Sequence, residues 1–161
     1  MTSTAKEAIN PQFPPSVHAY CRSAAVCVTF ANDRLSKPTA AIEFAEKGSG
    51  SGYAWGDKVV FQLTQGELAE LCAYLHHPWQ RHKWVHSKGT TAKGLSVTQQ
   101  GKSVLFALSI RGRDIRVPVV PRDQYFIANL LLSRLVAIQP PLSSDDHQQS
   151  LLRLAHALSQ K

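Results

Sequence analysis

Lys58-Val59-Val60-Phe61-Gln62-Leu63-Thr64-Gln65-Gly66-Glu67-Leu68-Ala69-Glu70-Leu71-Cys72-Ala73-Tyr74-Leu75 changes its hydrophobic period halfway along. Up to Leu63 the residues are β-branched, aromatic or aliphatic, as suits a pleated, half-buried strand. From Thr64 onward, Leu68, Leu71, Cys72 and Leu75 fall at i, i+3, i+4 and i+7, the spacing of one helix face. Thr64 and Glu67 stand at the spacing of a capping box, in which each side chain satisfies an orphan N–H at the other residue. Pro78 ends the pattern because it cannot donate into a continuing helix. The stretch therefore predicts a strand running directly into a helix.

Both flanks repeat that order. On the N-terminal side, Tyr20 to Phe30 reads as one strand, Asn32-Asp33 as a turn, and Thr39 to Ala45 as an alternating strand. Gly48 to Gly52 supplies a flexible reversal before Tyr53-Ala54-Trp55. On the C-terminal side, strands are predicted at Trp84 to Ser87, Leu95 to Thr98, Val104 to Ile110 and Ile115 to Val120, with turns at Gly89, Gln100-Gly101 and Gly112. Pro118 marks the last of these as an edge strand or a bulge, since it has no N–H for a central ladder. A second helix starts at Pro121 and closes at Pro140-Pro141, and a third runs from Ser144 to about Ser159 with Asp145 and Asp146 at its positive end. Strands then helix, twice over, with an extra C-terminal helix, is an α+β order with helices on one side of antiparallel sheets.

The 161 residues suffice for one domain, and the composition is that of a globular chain. Phe126 to Ile138 is the longest apolar candidate, and Asn129, Ser133 and Arg134 interrupt it well short of a membrane span. The N-terminal residues carry no secretory pattern, and Cys21, Cys27 and Cys72 lack Cys-x-x-Cys spacing, so they read as small core hydrophobes in a reducing compartment. Both observations suggest a cytoplasmic protein. The net charge of +7 is concentrated: Arg81 to Arg122 holds nine Lys/Arg against Asp114 alone, while the residues before carry −1 and those after are neutral. A basic segment of this kind calls for a polyanionic partner.

Several short motifs, in order, resemble the Whirly family of single-stranded-DNA-binding proteins and, more distantly, the trypanosome mitochondrial guide-RNA-binding proteins. Arg22-Ser23-Ala24-Ala25-Val26 stands where that family carries Lys-Gly-Lys-Ala-Ala-Leu, keeping Ala-Ala and one basic residue. Tyr53-Ala54-Trp55 matches its Tyr-x-Trp, and Trp84-Val85-His86 is similar to its Phe-Phe-His. Lys93-Gly94-Leu95-Ser96-Val97 resembles Lys-x-Leu-x-Val, and Val117-Pro118-Val119 the Val-Pro-Val ahead of the last family helix. The similarity covers about Tyr20 to Ile138. It implies two packed antiparallel sheets of about four strands each, helices that mediate a homotetramer, and DNA running along strand edges between subunits. The absence of a plant targeting sequence points to a prokaryotic, plasmid or phage relative. The expected organisation is a disordered tail over 1–16, a Whirly-like nucleic-acid-binding domain over 17–140, and a C-terminal packing helix over 141–161.

Binding single strands without much sequence preference takes cations that follow the backbone and aromatic faces on which bases stack. The candidate residues are Arg22, Lys58, Lys83, Lys88, Lys93, Lys102, Arg111 and Arg113 for the backbone, with Trp55 and Trp84 for bases. Each Trp has the alternative of a core position with its indole N–H on a carbonyl. The cations sit on predicted hairpin tips and strand edges, which disfavours a recognition helix in a duplex groove. Other constellations lack a partner. His82 and His86 have no cysteine or carboxylate near in sequence, Gly101-Lys102-Ser103 lacks the first glycine of a phosphate loop, and Glu43 and Glu46 fall on opposite strand faces. No catalytic constellation, cofactor or metal is expected. The function read from the sequence is a single-stranded-DNA-binding protein serving replication, recombination or conjugative transfer. An RNA-binding or annealing protein and a transcriptional cofactor on the same fold are the alternatives. An enzyme and a protein-interaction adaptor are more distant ones.

Overall fold

The computed structural model describes residues 14–139 and 142–160. The first sheet is built from β1 (Ser16–Tyr20), β2 (Ala24–Asn32), β3 (Pro38–Glu46) and β4 (Val59–Gln62), antiparallel and adjacent in chain order. Helix α1 (Gln65–His76) follows at once. The second sheet repeats the plan with β5 (Arg81–Lys88), β6 (Thr91–Gln100), β7 (Ser103–Ile110) and β8 (Arg113–Val119), then α2 (Pro121–Ile138) and α3 (Ser144–Ser159). The two four-stranded sheets and the strands-then-helix repetition match the expected α+β architecture. No described helix is long and apolar enough to cross a membrane.

One strand of the first sheet was hidden in the sequence. The predicted strand Tyr20 to Phe30 takes in the last residue of β1 and most of β2, because the chain reverses at Cys21-Arg22-Ser23 and Cys21 N–H donates to Ala24 O at 2.9 Å. No Gly, Pro or Asn marks that reversal, and β2 is buried from Ala24 through Thr29, so its pattern lacks the alternation that would show its ends. Of the expected disordered tail, residues 1–13 lie outside the described residues and Ser16 already pairs with Thr29. The boundary at 140/141 also lies outside them.

The inner faces of the sheets meet in one core. Val26, Val28, Ile42, Phe44 and Phe61 from the first sheet belong to the same buried cluster as Leu95, Val97, Phe106, Leu108 and Val117 from the second. Thr64 and Glu67 form the capping box that starts α1, and Ser143 with Asp146 form another for α3. Leu151 and Ala155 of α3 are buried against the core, and α2 reaches back to the first sheet. There the Arg134 guanidinium donates to Thr39 O and Ala31 O, both at 2.9 Å, and lies over the Phe30 ring. Strand β8 is an edge strand, so Pro118 costs no central ladder bond.

Candidate nucleic-acid interface

Alternation along β5 sends Arg81, Lys83 and Val85 outward and Trp84 inward. Register then carries the outward face across the sheet, with Lys83 opposite Ser96, Ser96 opposite Ala107, and Ala107 opposite Arg116. The result is an open groove of about 460 Å³, floored by small residues such as Gly94, Ser96 and Ala107 and edged by Arg81, Lys83 and Arg116. A Cβ on Gly94 would stand 2.8 Å from Ser109 Oγ and 3.2 Å from Lys83 Cε, so any larger residue there would displace these two side chains. Two of the groove's cations are already neutralised, since Arg116 pairs with Asp114 at 2.8 Å and Arg113 pairs with Glu46 of β3. Among the described residues Arg81, Lys83 and Arg111 form no salt bridge, which leaves their charge available to an anion.

Arg111 occupies an unusual place. Residues Arg111 and Gly112 form the two-residue turn between Ile110 and Arg113, with φ of 49° and 76°. A hairpin turn with both central residues left-handed favours Asn-Gly, and a side chain with a long unbranched stem gains nothing from it. The equivalent turns of the sheet, Gly89-Thr90 and Gly101-Lys102, put glycine at their only positive-φ position.

A second opening lies between the sheets, a cleft of about 1110 Å³. Lys88 and Arg111 on the two hairpin tips line it from the second sheet, Arg34 and Leu35 line it from the β2–β3 turn, and Val60 and Ile110 give it apolar walls. Lys93 also reaches it, but its Nζ donates to Val60 O at 2.5 Å, and burial lowers its pKa. It joins the sheets as much as it offers a charge.

The remaining sequence candidates are distributed. Arg22 is exposed on the β1–β2 turn. Lys58 pairs with Glu43 at 3.0 Å, and Trp55 sits edge-on to His18 with centroids 5.5 Å apart. Tyr20, 56% exposed and 5.4 Å from the Tyr53 ring, joins this aromatic group; it was missed because the strand beginning at Ser16 was missed. Lys102 stands at the opposite end of the second sheet, where its carbonyl accepts from Gln124 at 2.9 Å. Trp84 requires correction as a stacking platform. It is only 6% exposed, and its indole N–H donates to Glu70 Oε2 at 2.8 Å, because strand alternation turns it toward α1 and the core.

The histidines beside Trp84 also face α1. His82 Nε2 lies 3.1 Å from Glu70 Oε2 and His86 Nε2 lies 2.8 Å from Glu67 Oε1. Folding thus supplies carboxylates that were distant in sequence, each serving one histidine. Among the described residues no three metal-ligating side chains cluster.

Neither a family model nor a curated protein sequence matches the chain. Solved structures do. WHY3 from Arabidopsis thaliana superposes with a TM-score of 0.63 at 18% identity over 78% of this chain and 89% of that one. WHY1 from Arabidopsis thaliana gives 0.62 at 20% identity over 77% and 84%. The plant transcriptional regulator PBF-2 gives 0.65 at 17% identity over 81% and 85%. These are Whirly proteins, and the fold of this chain is the Whirly-like fold that the sequence motifs implied.

Proposed function

We propose that this chain is a single-stranded-DNA-binding protein of little sequence specificity, working as a homo-oligomer, with a tetramer favoured. The observation that carries the reading is the second sheet, where Arg81, Lys83, Lys88 and Arg111, on a strand face and two hairpin tips, form no salt bridge among the described residues. An open strand face edged by cations suits a flexible backbone that bends to follow it, whereas a duplex needs a helix or ribbon that enters a groove. The aromatic group of Tyr20, Tyr53 and Trp55 beside Arg22 offers stacking surface on the first sheet. Tyr125 and Phe126, 65% and 52% exposed side by side on α2, support association through the helices.

In this reading the protein is a binding protein and not an enzyme, acts in the cytoplasm, and protects or presents single strands during replication, recombination or transfer. A transcriptional role is the second reading, favoured by the resemblance in fold to the transcriptional regulator PBF-2. Binding of a labelled oligothymidine, with RNA of the same sequence and duplex of equal length as competitors, tests the proposal. Strong competition by the duplex would refute single-strand preference, and tighter binding of the RNA would shift the ligand.

A further inference from the structure

The β2–β3 turn is stiffer than its position suggests. Asp33 Oδ1 accepts from Leu35 N–H at 2.8 Å and from Lys37 N–H at 2.9 Å, while Asp33 N–H donates to Lys37 O at 2.8 Å. Ser36 takes a φ of 60° to close the loop. What this pinned turn holds out is Leu35, at 75% the most exposed large hydrophobic residue among those described, with Arg34 beside it. Both line the cleft between the sheets, across which stand Lys88 and Arg111.

The two openings differ in chemistry. The outer groove has a floor of glycine, alanine and serine with cations along its edges and Ile110 as its one large apolar side chain among the described residues, so it suits phosphates better than bases. The cleft has cations at its tips and Val60, Ile110 and Leu35 as apolar lining, so a strand fixed by its phosphates at the rim would direct its bases inward. Aliphatic side chains are known to part stacked bases when a backbone scaffold holds them in place, and a leucine held in water gains by being covered. We propose that the cleft takes the bases of a bound single strand and that Leu35 is a wedge separating two neighbouring bases. The inference rests on the single-strand reading above and adds the place and manner in which bases are held.

The test uses the full chain and an oligodeoxyadenylate carrying one central 2-aminopurine, whose fluorescence is quenched by stacking. Binding should raise that fluorescence. Leu35→Ala should abolish the rise and weaken binding about fivefold with the salt dependence unchanged, because no charge is removed. Leu35→Met should keep both signal and affinity. Arg34→Ala should instead lower the salt dependence and leave the fluorescence rise in place. Thermal melting of each variant checks folding, which an exposed position should preserve. A rise that survives Leu35→Ala overturns the wedge while leaving the single-strand reading intact. A wild-type protein that does not bind the oligonucleotide at all overturns that reading itself.

Discussion

Arg111 is held where arginine is disfavoured, so replacing it should separate stability from binding. Left-handed backbone costs a residue with a Cβ about 1–2 kcal/mol, and asparagine tolerates it better than other side chains with a Cβ. Arg111→Asn at φ 49°, followed by Gly112 at φ 76°, creates the dipeptide this turn prefers. The gain should be about 0.5–1 kcal/mol, or roughly 2 °C in Tm for a chain of this length. No ion pair is lost among the described residues. Binding should move the other way. One phosphate contact on a single strand contributes about 0.7 to the slope of log K against log salt, so the variant should bind about fivefold more weakly at 0.1 M salt. Urea unfolding and fluorescence anisotropy with a labelled oligothymidine read the two effects on one preparation. A variant that is more stable and binds as tightly as the wild type would refute the role given to Arg111; a less stable one would refute the strain.

Removing Arg81 and Lys83 together should lower the salt slope by about 1.4, whereas Lys58→Ala, whose cation already pairs with Glu43, should change it by less than half a unit. Equal effects in an anisotropy salt series would mean that the ion pairs do not decide which cations meet DNA. Trp84→Ala should cost about 3–5 kcal/mol in urea unfolding as a core truncation, and Trp84→Phe about 1 kcal/mol through the lost bond to Glu70 with oligothymidine affinity kept. A Trp84→Phe protein of normal stability that no longer binds would restore Trp84 as a platform. Burial pushes the Cys72 thiol from 9.0 to about 12 and the Cys27 thiol, with help from Glu43, to about 11. The folded state therefore holds protons that the unfolded chain releases above pH 9, and stability should fall as pH rises from about 9 to 12. Urea midpoints across that range check the sign, and replacing Cys72 with alanine should flatten the fall.

The fold was legible wherever a period changed or a turn residue broke it. Thr64 and Glu67 announced α1, and Gly89, Gly101 and Gly112 announced the hairpins of the second sheet. The turn at Cys21-Arg22-Ser23 carried no such mark, so β1 and the exposed Tyr20 went with it. The charged segment was visible as composition, but which cations are free was not, because Glu43 and Glu46 reach Lys58 and Arg113 through strand pairing and sheet packing. Trp84 illustrates the same limit, since alternation fixed its opposite facing from Lys83 while only the packing of α1 against β5 supplied Glu70 as the indole's partner. Arg34 and Leu35 were overlooked because they lie in a segment of negative net charge, and only the meeting of the two sheets turns their loop into a rim.

The most direct measurement is hydrogen exchange of the full chain with and without a saturating oligothymidine. A strand lying on the second sheet and in the cleft should slow exchange in the β5–β6 and β7–β8 hairpins and in the turn from Asp33 to Lys37, while α1 and α3 exchange as before. Protection confined to the helices, or none in the two hairpins, would contradict the assignment of the second sheet as the nucleic-acid surface.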